Sequence, residues 1–95
     1  MTSILNTKGV SDKIVFETLE SNFASFVNDG INTDLTFEFT KNDNYILVSV
    51  PSISQIDRYM ITVTEDIVTL TNNSIAYKTE LLDQKLESFI HAVVD

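Results

Sequence analysis

Four short segments between residues 35 and 71 constrain the fold of this chain more than any other part of it. In the first, residues 35–40, apolar and polar residues alternate strictly, which is typical of a β-strand with one buried face. Residues 45–50, 59–64 and 67–71 continue in β-branched and aromatic residues, with polar turn-forming clusters between them. We therefore predict four consecutive antiparallel strands, connected as a meander.

An amphipathic helix is predicted on each side of these strands. The helix before them covers residues 11–30, because apolar residues recur there at spacings of three and four while the opposite side is polar. Ser11 suits its N-cap, and Gly30 suits a left-handed residue that ends it. The helix after the strands begins at residue 79 or 80. The predicted apolar stripes are Val15, Leu19, Phe23, Phe26 and Val27 in the first helix and Leu82, Leu86, Phe89, Ile90 and Val93 in the second.

Together these elements predict a single α+β domain over residues 11–95, with both helices packed on one face of the four-stranded antiparallel meander. Residues 75–78 are a candidate fifth strand. Residues 1–10 are polar and lack periodicity, so they are expected to form a flexible or irregular lead-in. The strand residues expected to point to the core are Phe37, Val48, Ile61 and Leu70.

The charge balance excludes several kinds of partner. The chain has 14 Asp and Glu against 6 Lys and Arg, which gives a formal net charge of -8. Because nucleic-acid affinity depends on neutralising phosphates, direct binding to DNA or RNA is not expected, and neither is binding to an anionic membrane surface. No stretch is long and apolar enough to predict a membrane span, and the first residues do not resemble a secretion signal. We therefore expect a cytoplasmic protein.

No residue pattern in the chain predicts catalysis, a metal site or a cofactor. The absence of cysteine excludes disulfides and thiolate chemistry. His91 is the one histidine, and it is expected to be an ordinary surface or boundary residue because no second histidine can join it. The acidic run at residues 29–34 lacks the ligand spacing of a helix-loop-helix calcium site, and a helix end followed by a turn explains it. We therefore predict a protein that is not an enzyme and that binds no cofactor or metal.

The sheet face that the helices leave uncovered is the most informative feature for function. It is predicted to be rich in threonine, with Tyr45, Leu47 and Met60 towards its centre and Thr62 beside them. An apolar centre with a polar rim is typical of protein interfaces. A solvated face that carries incidental apolar residues explains the same pattern equally well. If the face is an interface, a homodimer is the simplest way to bury it.

The leading hypothesis is a small acidic, non-enzymatic protein-binding module that acts as an adaptor, chaperone-like or inhibitor protein on a basic protein partner. We expect the module to be a homodimer, formed through the sheet face or through an edge strand. In its sharper form, the acidic surface imitates nucleic acid, with carboxylates in place of phosphates. The residues of that surface are Glu17, Glu20, Asp29, Asp34, Asp43, Glu65 and Asp66. Two alternatives remain open: a small-ligand-binding or enzymatic domain with a pocket between sheet and helices, and a structural subunit of a larger assembly.

Overall fold

The computed structural model describes residues 2–32, 34–43, 45–51, 54–72 and 80–95. Its strands are β1 (Thr2–Leu5), β2 (Glu38–Lys41), β3 (Ile46–Val50), β4 (Ser54–Val63) and β5 (Ile67–Asn72). The N-terminal helix spans residues 12–31, and the C-terminal helix spans Glu80–Val94, in agreement with its predicted start. Apolar side chains from both helices and from one face of the sheet form a contiguous core. The predicted α+β class, with both helices against an antiparallel sheet, is confirmed.

The strands are arranged in the order β1-β5-β4-β3-β2, and every neighbouring pair is antiparallel. Strands β2 to β5 form the predicted meander, but two of their starts differ from the prediction. β2 begins at Glu38 rather than Leu35, because the N–H and C=O of Leu35 bond to the Asn28 side chain, at 2.8 and 2.9 Å, instead of to a strand. β4 begins earlier than predicted, at Ser54.

The first ten residues are not the flexible or irregular lead-in that the sequence predicted. Thr2–Leu5 forms β1, which pairs with β5 and places Ile4 in the core, 2% exposed. The sequence did not predict this strand, because four residues show too little alternation and because its partner is the last strand in the sequence. β1 is the fifth strand of the sheet, whereas the candidate strand at residues 75–78 lies outside the described residues.

Asn6 fixes the connection between β1 and the N-terminal helix. Its side-chain amide donates to the C=O of Val10 and of Thr64, at 2.9 and 2.8 Å, and its side-chain oxygen accepts from the N–H of Val10 at 2.9 Å. The residue is 5% exposed, and these bonds satisfy its buried polar atoms. Next to it, Thr7 Oγ1 donates to the C=O of Val94 at 2.9 Å, at the end of the C-terminal helix. This segment therefore ties β1, the β4–β5 turn and the ends of both helices together.

The N-terminal helix begins at the predicted cap and contains a π-helical turn. Ser11 Oγ accepts from the N–H of Ile14 at 3.3 Å, which confirms Ser11 as the N-cap. Buried residues follow at intervals of four along one side of the helix, at Val15, Leu19, Phe23 and Val27. In a regular α-helix this spacing drifts by about 120° over the stripe, so Val27 would leave the core side. The π-helical segment Leu19–Phe23 makes a wider turn that absorbs this drift.

The sequence predicted that the N-terminal helix ends at Gly30, but the helix continues past this residue to Ile31. The left-handed residue is Asn32, with φ of 54°, and its N–H bonds to the C=O of Asn28. Asparagine tolerates this conformation better than most residues. Gly30 lies inside the helix, where an added Cβ would meet the Lys85 side chain of the C-terminal helix. Glycine at this position therefore leaves room for Lys85 to reach the ring of Phe26, 5.3 Å from its centroid.

Candidate protein-binding face

One side of the sheet faces away from both helices, and its residues alternate along each strand with residues that point into the core. Leu47 alternates with buried Val48, and Met60 alternates with buried Ile61. Val48, Ile61 and Leu70 point to the core and Phe37 packs against it, as predicted. We call the outward surface the open face. Its described strand residues are Ser3, Leu5, Glu38, Thr40, Leu47, Ser49, Met60, Thr62, Ile67, Thr69 and Thr71.

The structure brings the four predicted interface residues together on two neighbouring strands. Leu47 in β3 lies directly opposite Met60 in β4. Tyr45 precedes Leu47 by two residues and Thr62 follows Met60 by two, so all four share one face. Each side chain is half-buried, because it is flanked by neighbouring strands but is not covered by a helix. They form a compact surface at the middle of the sheet.

A second apolar pair on the open face was not predicted. Leu5 in β1 lies opposite Ile67 in β5, and the two residues are 69% and 40% exposed. Leu5 was missed together with β1, whereas Ile67 was detectable because it alternates with inward Val68. Thr62 and Thr69 lie opposite each other between this pair and the Leu47–Met60 pair. The open face therefore carries two apolar cross-strand pairs with threonine between them.

The described strand side chains of the open face carry little charge. Among the described side chains of the strands, Glu38 on the outermost strand β2 is the one charged group on this face. The other charge on β2, Lys41, lies on the helix side, where its Nζ pairs with Asp12 Oδ2 at 3.2 Å. In a chain of net charge -8, the described side chains of this face therefore contribute a single negative charge.

The seven acidic residues of the predicted nucleic-acid-like surface lie in separate places. They are Glu17 and Glu20 on the N-terminal helix, Asp29 and Asp34 at and beyond its end, and Asp43, Glu65 and Asp66 in two turns. The β2–β3 and β4–β5 turns occupy the same end of the meander, where the N-terminal helix also starts, as the Asp12–Lys41 pair shows. The helix then runs about 30 Å away from that end. The acids therefore form no single row, but those of the turns border one end of the open face.

A small cavity lies between the sheet and the C-terminal helix. A ligand pocket between the sheet and the helices is one of the two alternatives that the sequence allows. It measures about 80 Å³ and is lined by residues that include Tyr59, Leu70 and Leu86. Pockets for small ligands typically measure roughly 300–1,000 Å³, so this cavity is well below that size. In the described part of the chain, no three His, Asp or Glu side chains are placed to hold a metal ion, and His91 is exposed. None of the helices in the described ranges is long and apolar enough to cross a membrane.

Comparisons with protein-family models, with curated proteins and with solved structures find no match to this chain. Its function is therefore argued from its surfaces. The open face differs from the other described surfaces because it combines adjacent apolar side chains with very little charge.

Proposed function

We propose that this protein is a non-enzymatic protein-binding module of the cytoplasm, an adaptor, chaperone-like or inhibitor protein that docks its partner on the open face. The observation that supports the proposal is the presence of two apolar cross-strand pairs, the exposed Leu5–Ile67 and the half-buried Leu47–Met60, on a face whose described strand side chains include one charge. The cores of protein interfaces are depleted of charged residues in the same way. Burial in the core does not explain these apolar residues, because both helices pack on the other face.

Burial of these pairs supplies the affinity in this proposal. Transfer of a fully exposed leucine side chain into an apolar environment is worth about 1.5–3 kcal/mol, and Leu5 retains most of its exposure in the single chain. The threonines between the pairs place methyl groups towards the partner, and their hydroxyls can bond to it. The docked partner surface is therefore expected to be apolar at its centre, opposite Leu47 and Met60.

The partner is expected to carry basic residues where it meets the β2–β3 and β4–β5 turns. Asp43, Glu65 and Asp66 are exposed in these turns, at one end of the open face. Charges at the rim of an interface mainly raise the association rate and favour partners of opposite charge. The separate positions of the seven acids give no support to a continuous imitation of nucleic acid, so the proposal assigns them this rim role.

The test is capture of partners on immobilised wild-type protein, on Leu47→Asp and on Asn22→Asp. The control variant adds the same charge on the exposed side of the N-terminal helix, away from the open face. A partner of this face is retained by wild type and by Asn22→Asp, and is lost by a Leu47→Asp protein that circular dichroism shows to be folded. Binding of the purified partner is then measured at low and at raised salt, where weaker association is expected.

The proposal is contradicted if the purified partner binds Leu47→Asp as tightly as wild type. Met60→Asp provides an independent variant on the opposite strand, in case Leu47→Asp does not fold.

A further inference from the structure

We propose that two copies of this chain associate through the outer edge of β1, with Ser3 of one copy paired to Leu5 of the other. The edge of β1 is a different surface from the proposed binding face, since Ser3→Pro acts on the strand edge and Leu47→Asp acts on the face.

The backbone of β1 has hydrogen-bonding groups that point away from the sheet. The Asn6 N–H donates to the C=O of Asp66 at 2.8 Å, so residue 6 directs its backbone groups towards β5. Because this direction alternates along an antiparallel strand, Ile4 and Thr2 also bond to β5, while Ser3 and Leu5 direct theirs outwards. The β4–β5 register agrees with this assignment. The Thr64 N–H donates to the C=O of Ile67, so the backbone groups of Ile67 point to β4 and those of its two neighbours point to β1. In the described sheet, β1 is the terminal strand on this side.

The two edges of the sheet differ in protection against strand pairing. β2, at the far edge, carries Glu38 and Lys41. Charged side chains of this kind discourage a second chain from extending a sheet. β1, in contrast, consists of the uncharged residues Thr2–Leu5, contains no proline and pairs with β5 without a bulge. Of the two edges of the described sheet, β1 is therefore the one less protected against pairing with another strand.

A second copy fits this edge because the strand is complementary to itself. A two-fold axis through Ile4 places Ser3 of each copy opposite Leu5 of the other, and these are the two residues whose backbone groups point outwards. Each Ser3–Leu5 pair then exchanges both N–H···O=C bonds. Odd-numbered residues of one copy lie opposite odd-numbered residues of the other, so their side chains point to the same side of the joined sheet. The open faces of both copies therefore lie on that side. The contact is isologous, as a closed dimer requires.

The net charge of -8 on each copy disfavours association in general, but it places no like charges in the paired strands. β1 itself is uncharged. Because the paired strands run in opposite directions, the acidic β4–β5 turns of the two copies lie at opposite ends of the joined sheet. The dimer also joins two open faces into one continuous surface, with both Leu5–Ile67 pairs at its centre.

Ser3→Pro tests the pairing directly, with Ser3→Thr as its matched control. Proline removes an outward N–H that β5 does not use, and proline is tolerated on edge strands whose N–H faces solvent. Light scattering over a dilution series is expected to give twice the 10.7 kDa chain mass for wild type and for Ser3→Thr. For Ser3→Pro, the mass is expected to fall by half with an unchanged circular dichroism spectrum.

Leu5→Lys is the second variant, in case Ser3→Pro disturbs β1. Its side chain is exposed in the single chain, so the substitution is expected to leave the fold intact while the added charge prevents edge pairing. A monomeric wild type, or a Leu5→Lys protein that stays dimeric, overturns the proposal. A dimer that Leu47→Asp separates but Ser3→Pro does not would place the contact on the open face and overturn the edge pairing alone. If only the proposed function is wrong and no partner binds the open face, Ser3→Pro is still expected to have half the mass of wild type.

Discussion

The helix-covered face and the open face of this sheet are made by consecutive residues of the same strands, yet they differ in composition. On the covered face, Ile46, Val48 and Ile61 lie among apolar side chains of both helices and are buried. On the open face, apolar residues occur as isolated cross-strand pairs among threonines. The covered face accounts for the stability of the domain. The apolar pairs of the open face are exposed or half-buried and contribute less to it, which is why we assign them to association.

The largest expected effect comes from shortening two neighbouring side chains of β4 that point to opposite faces of the sheet. Ile61→Ala leaves a cavity in the core and is expected to lower the free energy of unfolding by about 2–5 kcal/mol. Met60→Ala removes a half-buried side chain next to it, and the loss is expected to stay below about 1.5 kcal/mol. Urea unfolding of both variants measures the difference. Equal losses would show that the open face is covered and that the distinction between the faces is wrong.

A smaller effect is expected at Asn6, which holds β1 and therefore Leu5 in place. Asn6→Ala leaves part-buried backbone groups of Val10 and Thr64 without their side-chain partners, which is expected to cost about 1–3 kcal/mol. The control Asn42→Ala changes an exposed asparagine in the β2–β3 turn. Thermal unfolding compares their stabilities, and hydrogen exchange of the Ile4 amide reports on β1. If Asn6→Ala matches the control, β1 is held by strand pairing alone.

Most of the fold was predictable because its signals are local. Alternation in β2 to β5 and the apolar stripes of both helices depend on neighbouring residues, and they identified the class and which residues of the meander face the core. β1 was not predictable, since its position depends on β5 and on the bonds of Asn6 to distant groups. The left-handed residue at Asn32 was also missed, because glycine and asparagine both suit this conformation and both occur at this end of the helix.

The candidate site was predictable to a lesser degree. Tyr45, Leu47, Met60 and Thr62 were identified because strand periodicity alone decides which face they share. Leu5 was out of reach without β1. The arrangement of the acidic residues was not predictable, since composition gives their number but the topology decides their positions. The spacing of four between Val15, Leu19, Phe23 and Val27 did contain a signal for the π-helical turn, in the drift that a regular helix would impose.

The account depends most on the claim that the open face is accessible in the free chain and covered in the complex. Met60 reports on this directly, because peroxide converts an accessible methionine to its sulfoxide. Peptide mapping follows Met60 oxidation in the free protein and with the captured partner added, with free methionine in both samples as a reference for peroxide. We predict ready oxidation of Met60 in the free protein, which slows in proportion to the fraction bound. An oxidation rate that is the same in the free and the saturated protein would contradict the assignment of the open face as the binding surface.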